Sequence, residues 1–142
     1  KEGFKTGEDS RALFKLHPNI HQKLYFLGEI AQHDLACLYA SAQALVHPSF
    51  YEGFGFPPLE AMASGCPAIV SSCGSRPEAS GDAALYADPH APVEIAQAIH
   101  RIVSNVHLSN ELKQRGLEHC KQFSWYRCAQ DHLTLIDRVL TS

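Results

Sequence analysis

The chain has 142 residues, of which 45% are hydrophobic and 19% charged, and a formal charge of −3. A chain of this length buries roughly 70% of its unfolded surface, enough for a real core, and its composition is neither disordered nor fibrous. No lysine and arginine block supplies the field that nucleic-acid binding draws on, and no apolar run approaches the roughly 20 residues that cross a bilayer. Lys1-Glu2-Gly3 does not begin a signal peptide, and five cysteines without a CxxC pair fit reduced thiols better than a disulfide framework. The reading is a cytosolic protein with no nucleic-acid partner.

In chain order, residues 1–20 hold no convincing strand. Leu24-Tyr-Phe-Leu27, followed by Gly28, reads as a buried strand and its exit. Asp34 to Ala40 reads as a short helix with Leu35 and Leu38 on one side. Ala44 to His47 is the next apolar run, Pro58 to Ser64 a second short helix closed by Gly65, and Ala68 to Ser71 a strand after the helix-stopping Pro67. Ala84-Leu-Tyr86 predicts one more strand. Strands with continuous apolar character, separated by helices, predict an α/β fold: a Rossmann-like doubly wound parallel sheet covered on both faces. Such a sheet normally has five or six strands, so the expectation is one domain over residues 1–142, truncated at its N-terminal strands and forming the back part of a longer polypeptide.

The remainder reads as a helical tail. Ile95, Ile99, Ile102 and Val103 predict one amphipathic helix, and Leu112, Leu117 and Cys120 a weaker one. A third follows Ser124, a candidate N-cap, with Ala129, Leu133, Ile136 and Leu140 at helical spacing. These stripes are expected to be core. Among nine histidines, His119 and Cys120 with Cys128 and His132 make the best metal candidate, but the spacing matches no short-loop zinc pattern and packing residues are expected there.

The loop His47-Pro-Ser-Phe-Tyr-Glu-Gly-Phe-Gly-Phe-Pro57 leaves a strand and enters a helix, the place where parallel α/β sheets bind ligands. Gly53 and Gly55 let backbone amides approach a ligand, and Pro57 and Pro58 preset the first helical turn without donating. The free donors are expected to be Leu59, Glu60 and Ala61 together with the glycine-loop amides, making an anion site suited to a diphosphate. Glu60 can accept hydrogen bonds from a sugar diol, and Glu52 is placed to face the same ligand from the other side. A plainer reading stands beside this one: Glu60 complements the helix dipole, Glu52 is a solvated loop residue, the glycines only turn the chain, His47 is a satisfied half-buried histidine, and Ser49 ties the loop down. In the next loop, Arg76 and Glu78 either line the same pocket or sit exposed, with the glutamate capping nearby amides.

The stretch Glu52-Gly-Phe-Gly-Phe-Pro-Pro-Leu-Glu60 resembles the E-x7-E signature of retaining glycosyltransferases of the GT-B fold, glycosyltransferase family 4. Phe26-Leu-Gly28, Leu38-Tyr-Ala-Ser-Ala42, His47-Pro-Ser49, Arg76-Pro-Glu78, Gly81-Asp-Ala-Ala84 and Phe123-Ser-Trp125 fall where that family has similar segments. The resemblance covers roughly residues 22–140 and implies the C-terminal domain that binds a nucleotide-sugar donor, UDP- or GDP-linked, with an acceptor domain preceding it. Glu60 would hold the ribose hydroxyls and Glu52, as the catalytic carboxylate, would contact the sugar near the reacting carbon. Amides of Gly53, Phe54, Gly55 and Phe56 would bind sugar hydroxyls and diphosphate, with Leu59 beside them. No metal or other cofactor is implied, and no Asp-x-Asp motif occurs.

The resemblance further implies a glycan or lipid-linked acceptor, polysaccharide biosynthesis at the inner face of the membrane, and peripheral membrane association of the longer enzyme. The family's diphosphate-gripping arginine and lysine lie upstream of the aligned residues, so the segment alone is expected to be inactive. Because the family's chain end crosses back toward the acceptor domain, the apolar stripe of the last helix would be partly orphaned in that segment. Arg76 departs from the apolar residue common before Pro-Glu. A non-catalytic nucleotide- or phosphate-binding module of the same fold is the alternative, and a doubly wound interaction domain would have no use for the E-x7-E spacing.

Overall fold

The computed structural model describes residues 19, 23–73 and 79–141. The chain divides into two compact units, Lys1–Ile30 and Ala31–Ser142, where the sequence reads as one domain. Arg76 and Glu78 lie outside the described residues, as does the N-terminal stretch read as lacking a strand.

In the first unit the strand expected at Leu24 to Leu27 does not form, and these side chains are between 42% and 81% exposed. An apolar run becomes a strand only where another backbone completes its ladder, and no ladder is made there.

The second unit holds helix α1 (Gln32–Ser41), strand β1 (Leu45–His47), helix α2 (Phe56–Ala63), strands β2 (Ala68–Ser71) and β3 (Ala84–Ala87), and helices α3 (Pro92–Ser104), α4 (Val106–Cys120) and α5 (Trp125–Thr141). The sheet is parallel throughout in the order β1-β2-β3, with His47 opposite Val70 and Val70 opposite Tyr86. Every residue of β2 is buried. Because successive strand side chains face opposite ways, Ala68 and Val70 pack with Met62, Ala83 and Ala84, while Ile69 packs with Ala87, Ala98, Ile102 and Leu112. This two-sided burial is why β2 reads as an unbroken apolar run.

Local chemistry fixes the boundaries. Asn105 caps α4 by accepting the Leu108 amide at 3.0 Å, and Ser124, the N-cap candidate of the sequence, caps α5 by accepting the Arg127 amide at 3.1 Å. Gly65, at φ +75°, ends α2 in the left-handed region open to glycine. Gly116 lets α4 approach α2 closely, since a Cβ there would sit 3.1 Å from Met62 Cβ.

The stripes behave unequally. On α3, Ala98 and Ile102 are buried, while Ile99 and Val103 turn outward. On α4, Leu112 is buried and Leu117 exposed. On α5, Ala129, Leu133, Ile136 and Leu140, expected as core, are all exposed along with the rest of the helix. Helical spacing establishes an amphipathic face and says nothing about what covers it; α5 meets α2 at its first residue, where Trp125 stacks on Phe56, and none of its residues is buried.

The five cysteines are free thiols. Burial pushes the thiols of Cys66 and Cys120 above their ordinary range, whereas Cys37 and Cys128 are exposed. A raised value leaves less thiolate at mildly alkaline pH, so maleimide-type labelling followed by mass spectrometry should modify Cys37 and Cys128 well before Cys66 and Cys120. In denaturant unfolding, Met62→Ala should cost about 2–5 kcal/mol, as expected for a fully buried side chain. Leu133→Asp or Ile136→Asp should stay within about 0.5 kcal/mol of the parent chain, and a large loss at either would show that α5 is part of the core.

Candidate functional site

The site begins where β1 stops. Its ladder to β2 fixes the backbone of His47 at the carboxyl edge of the sheet. Past Pro48 the chain turns back, helped by the Ser49 hydroxyl, which donates to the Tyr51 carbonyl at 3.0 Å. This return brings Glu52 onto His47, whose Nε2 hydrogen-bonds Glu52 Oε1. Glu52 is therefore more than a solvated loop carboxylate: the two side chains are only 21% and 23% exposed.

Gly53 is exposed, and Gly55 is buried at φ +97° as the N-cap of α2. A side chain at Gly55 would be strained in that left-handed conformation. No side chain caps α2. The helix begins at Phe56, two residues before the expected start at Pro58, which corrects the expected donor set. With Phe56 first, the amides of Glu60 and Ala61 fall in register with the carbonyls of Phe56 and Pro57, inside the helix's own ladder. Leu59, the fourth residue, is buried at 8% exposure, and its amide is the last of the four that a helix leaves outside its ladder, so Leu59 stays in the expected donor set while Glu60 and Ala61 leave it. The physical reason is that proline's fixed φ suits any position of the first turn, so two prolines do not by themselves mark which residue is first. The amides outside the ladder at this helix end are those of Phe56 and Leu59, since Pro57 and Pro58 carry none, and the loop through Gly55 leads into them.

Glu60 is exposed on α2. Tyr39, from α1, stands near it: burial raises the Tyr39 phenol above its ordinary value, with the Glu60 carboxylate adding to the effect. Glu60 also lines a cleft of about 620 Å³ between α2 and the start of α5, whose walls include Phe54, Phe56, Phe123, Trp125 and Arg127. The aromatic rings of this wall touch in sequence, Phe123 to Phe54 at 5.8 Å, Phe54 to Phe56 at 5.4 Å, and Phe56 to Trp125 at 6.0 Å.

The structure thus brings Phe54, Phe56, Leu59 and Glu60 to one cleft and ties Glu52 separately to His47; Glu52, Gly53 and Gly55 are not among the residues of that cleft wall. Sequence reasoning missed Tyr39, the His47 to Glu52 bond and the Phe123, Trp125 and Arg127 wall. Only the first and last of these had a signal, in the segments Leu38 to Ala42 and Phe123 to Trp125.

The metal candidates are spent elsewhere. His119 Nε2 donates to the Ala79 carbonyl at 2.8 Å. Cys128 and His132 are one turn apart on α5, with Sγ and Nδ1 at 3.7 Å. Among the described residues, no three histidine, cysteine or acidic side chains gather as a metal site, and no helix is long and apolar enough to cross a membrane.

Residues 4–105 match the family described as Glycosyl transferases group 1. Similar proteins include the O-antigen chain mannosyltransferase B of Escherichia coli, 45% identical over 103 residues that make up 72% of this chain and 27% of that protein. The serotype-specific mannosyltransferase WbdA of Escherichia coli is 33% identical over 84% of this chain and 15% of its own length. The D-inositol 3-phosphate glycosyltransferase of Corynebacterium glutamicum is 31% identical over 87% of this chain and 30% of its own length. The chain therefore spans less than a third of these curated relatives. Among solved structures, the sucrose-phosphate synthase of Thermosynechococcus elongatus superposes with a TM-score of 0.78 at 30% identity, over 93% of this chain and 34% of that one. The parallel sheet with helices on both faces is the GT-B glycosyltransferase architecture. With the E-x7-E loop seated at its carboxyl edge and more than half the chain matched, this protein belongs to the Glycosyl transferases group 1 family.

Proposed function

We propose that the loop from His47 to Glu60 is the donor half of a retaining hexosyltransferase and binds a nucleotide-diphosphate sugar, UDP- or GDP-linked. The observation that carries this reading is the arrangement of one loop: Glu52 held just before a left-handed Gly55, an uncapped helix end at Phe56, and Glu60 exposed on the following turn. Amides of Gly53, Phe54, Gly55 and Phe56 meet the diphosphate and sugar hydroxyls, where a helix N-terminus carries roughly half a positive charge. Glu60 accepts from the ribose hydroxyls and Glu52 contacts the sugar near its reacting carbon. As the bond from that carbon to the diphosphate oxygen breaks and one to an acceptor hydroxyl oxygen forms on the same face, the hydroxyl proton passes to the departing diphosphate oxygen, and the amides and the helix end stabilise the charge that develops there, so the reading calls for no metal.

The names of the relatives make mannose the first sugar to test. The O-antigen chain in one of those names favours a glycan acceptor; a lipid-linked acceptor, bound by further polypeptide and met at the inner face of the membrane with peripheral association of the longer enzyme, follows from the E-x7-E resemblance. The second reading, a non-catalytic nucleotide- or phosphate-binding module, rests on the segregation of Glu60 from Glu52 between cleft and loop.

Calorimetric titration with UDP, GDP, UDP-glucose and GDP-mannose separates the two. A sugar conjugate should bind more tightly than its nucleoside diphosphate, and Glu60→Ala should weaken both by about 10- to 100-fold, the scale of one or two hydrogen bonds to a charged group. Equal affinity for the two would favour the non-catalytic module, and no heat from a chain shown to be folded would overturn both readings.

A further inference from the structure

We propose that His47 is a positioning residue for Glu52, fixing the direction in which that carboxylate meets the donor sugar; this rests on the reading of Glu52 given above. The two residues differ in how firmly the backbone holds them. His47 is the last residue of β1, registered against Val70 of the fully buried β2. Glu52 stands on a loop between Pro48 and Gly55, followed by Gly53, around which a side chain would find open space. The strand supplies a rigid mount and the loop supplies the carboxylate.

The bond between them spans five residues of chain and joins side chains that are about four-fifths covered. Other close ion pairs of the described residues, Arg115 with Glu111 and Lys121 with Glu118, both at 2.5 Å, lie on helix surfaces at 47% to 73% exposure, where pairing contributes little. An ionised carboxylate only accepts, so Nε2 carries the proton and donates. The bond takes one of the carboxylate's roughly four acceptor sites and sets the plane of the rest. A catalytic or binding group must be held within about 0.5 Å of its working geometry, and a side chain on a glycine-flanked loop lacks that support unless a neighbour provides it. His47, mounted on the strand, is one such neighbour.

The test compares the parent chain with Glu52→Gln, His47→Leu, His47→Gln and the double variant His47→Leu with Glu52→Gln. GDP, GDP-mannose, UDP and UDP-glucose serve as titrants, and the imidazole nitrogens are followed by NMR. His47→Leu should reduce the extra affinity for the sugar conjugate over its nucleoside diphosphate by about tenfold, the scale of one hydrogen bond, and leave the nucleoside diphosphate unaffected. His47→Gln, whose amide still donates, should recover most of that loss. The double variant should be no worse than Glu52→Gln, and the His47 Nε2 signal should move in Glu52→Gln.

If Glu52→Gln loses the sugar increment while His47→Leu keeps it, the positioning role is overturned and the donor-site reading stands. An Nε2 signal unmoved by Glu52→Gln, or equal losses in both His47 variants, would also overturn it. If Glu52→Gln itself keeps the increment, the assignment of Glu52 to the sugar fails and the role of His47 fails with it.

Discussion

The second unit depends on one constraint, the burial of β2 between two parallel neighbours. Each β2 residue is covered, so its side chains must be apolar or small on both faces, and Ala68-Ile-Val-Ser71 meets that demand. Parallel pairing then requires a crossover on each side, and the crossovers here are the segments that carry α2 and, between β2 and β3, residues 72–83. Because all three strands run the same way, their carboxyl ends share an edge, and the loop after His47 has to leave from it. The location of the candidate site is thus a consequence of strand direction before any site residue is considered.

What was legible in the sequence follows the same physics. β2 could be read because double burial writes a continuous apolar run, and β1, α2 and β3 because their apolar stretches are punctuated, by Pro67 and Gly65 among others. The spacing of Glu52 and Glu60 was legible because both lie within one loop and helix, where separation along the chain is close to separation in space. The bond from His47 to Glu52 was not legible, since it forms only if the loop doubles back, and nothing in His47-Pro-Ser states that it will. The first residue of α2 was missed for a related reason: proline announces a first turn without numbering its positions. The exposed run at Leu24 to Leu27 and the uncovered stripe of α5 show the other limit, that apolarity records a preference for burial but not the surface that satisfies it.

Family membership and geometry contribute different things. The matched relatives establish the family over most of the chain, while the structure gives the surroundings of each residue in the loop. Glu60 stands on an aromatic-walled cleft beside Tyr39, and Glu52 stands against a strand-mounted imidazole. Two carboxylates in one short motif therefore work in unlike surroundings, one open to the cleft and one braced.

Pro57 and Pro58 contribute by what they lack. A typical helix end offers a ring of amide hydrogens, and an anion can settle against any of them. Here two of the first four helical residues carry no such hydrogen, so the donors of this end are reduced to Phe56 and Leu59. An end that would otherwise hold a charged group in many orientations becomes lopsided. A diphosphate lying there would be turned as well as held, its two ends made inequivalent before any side chain touches it.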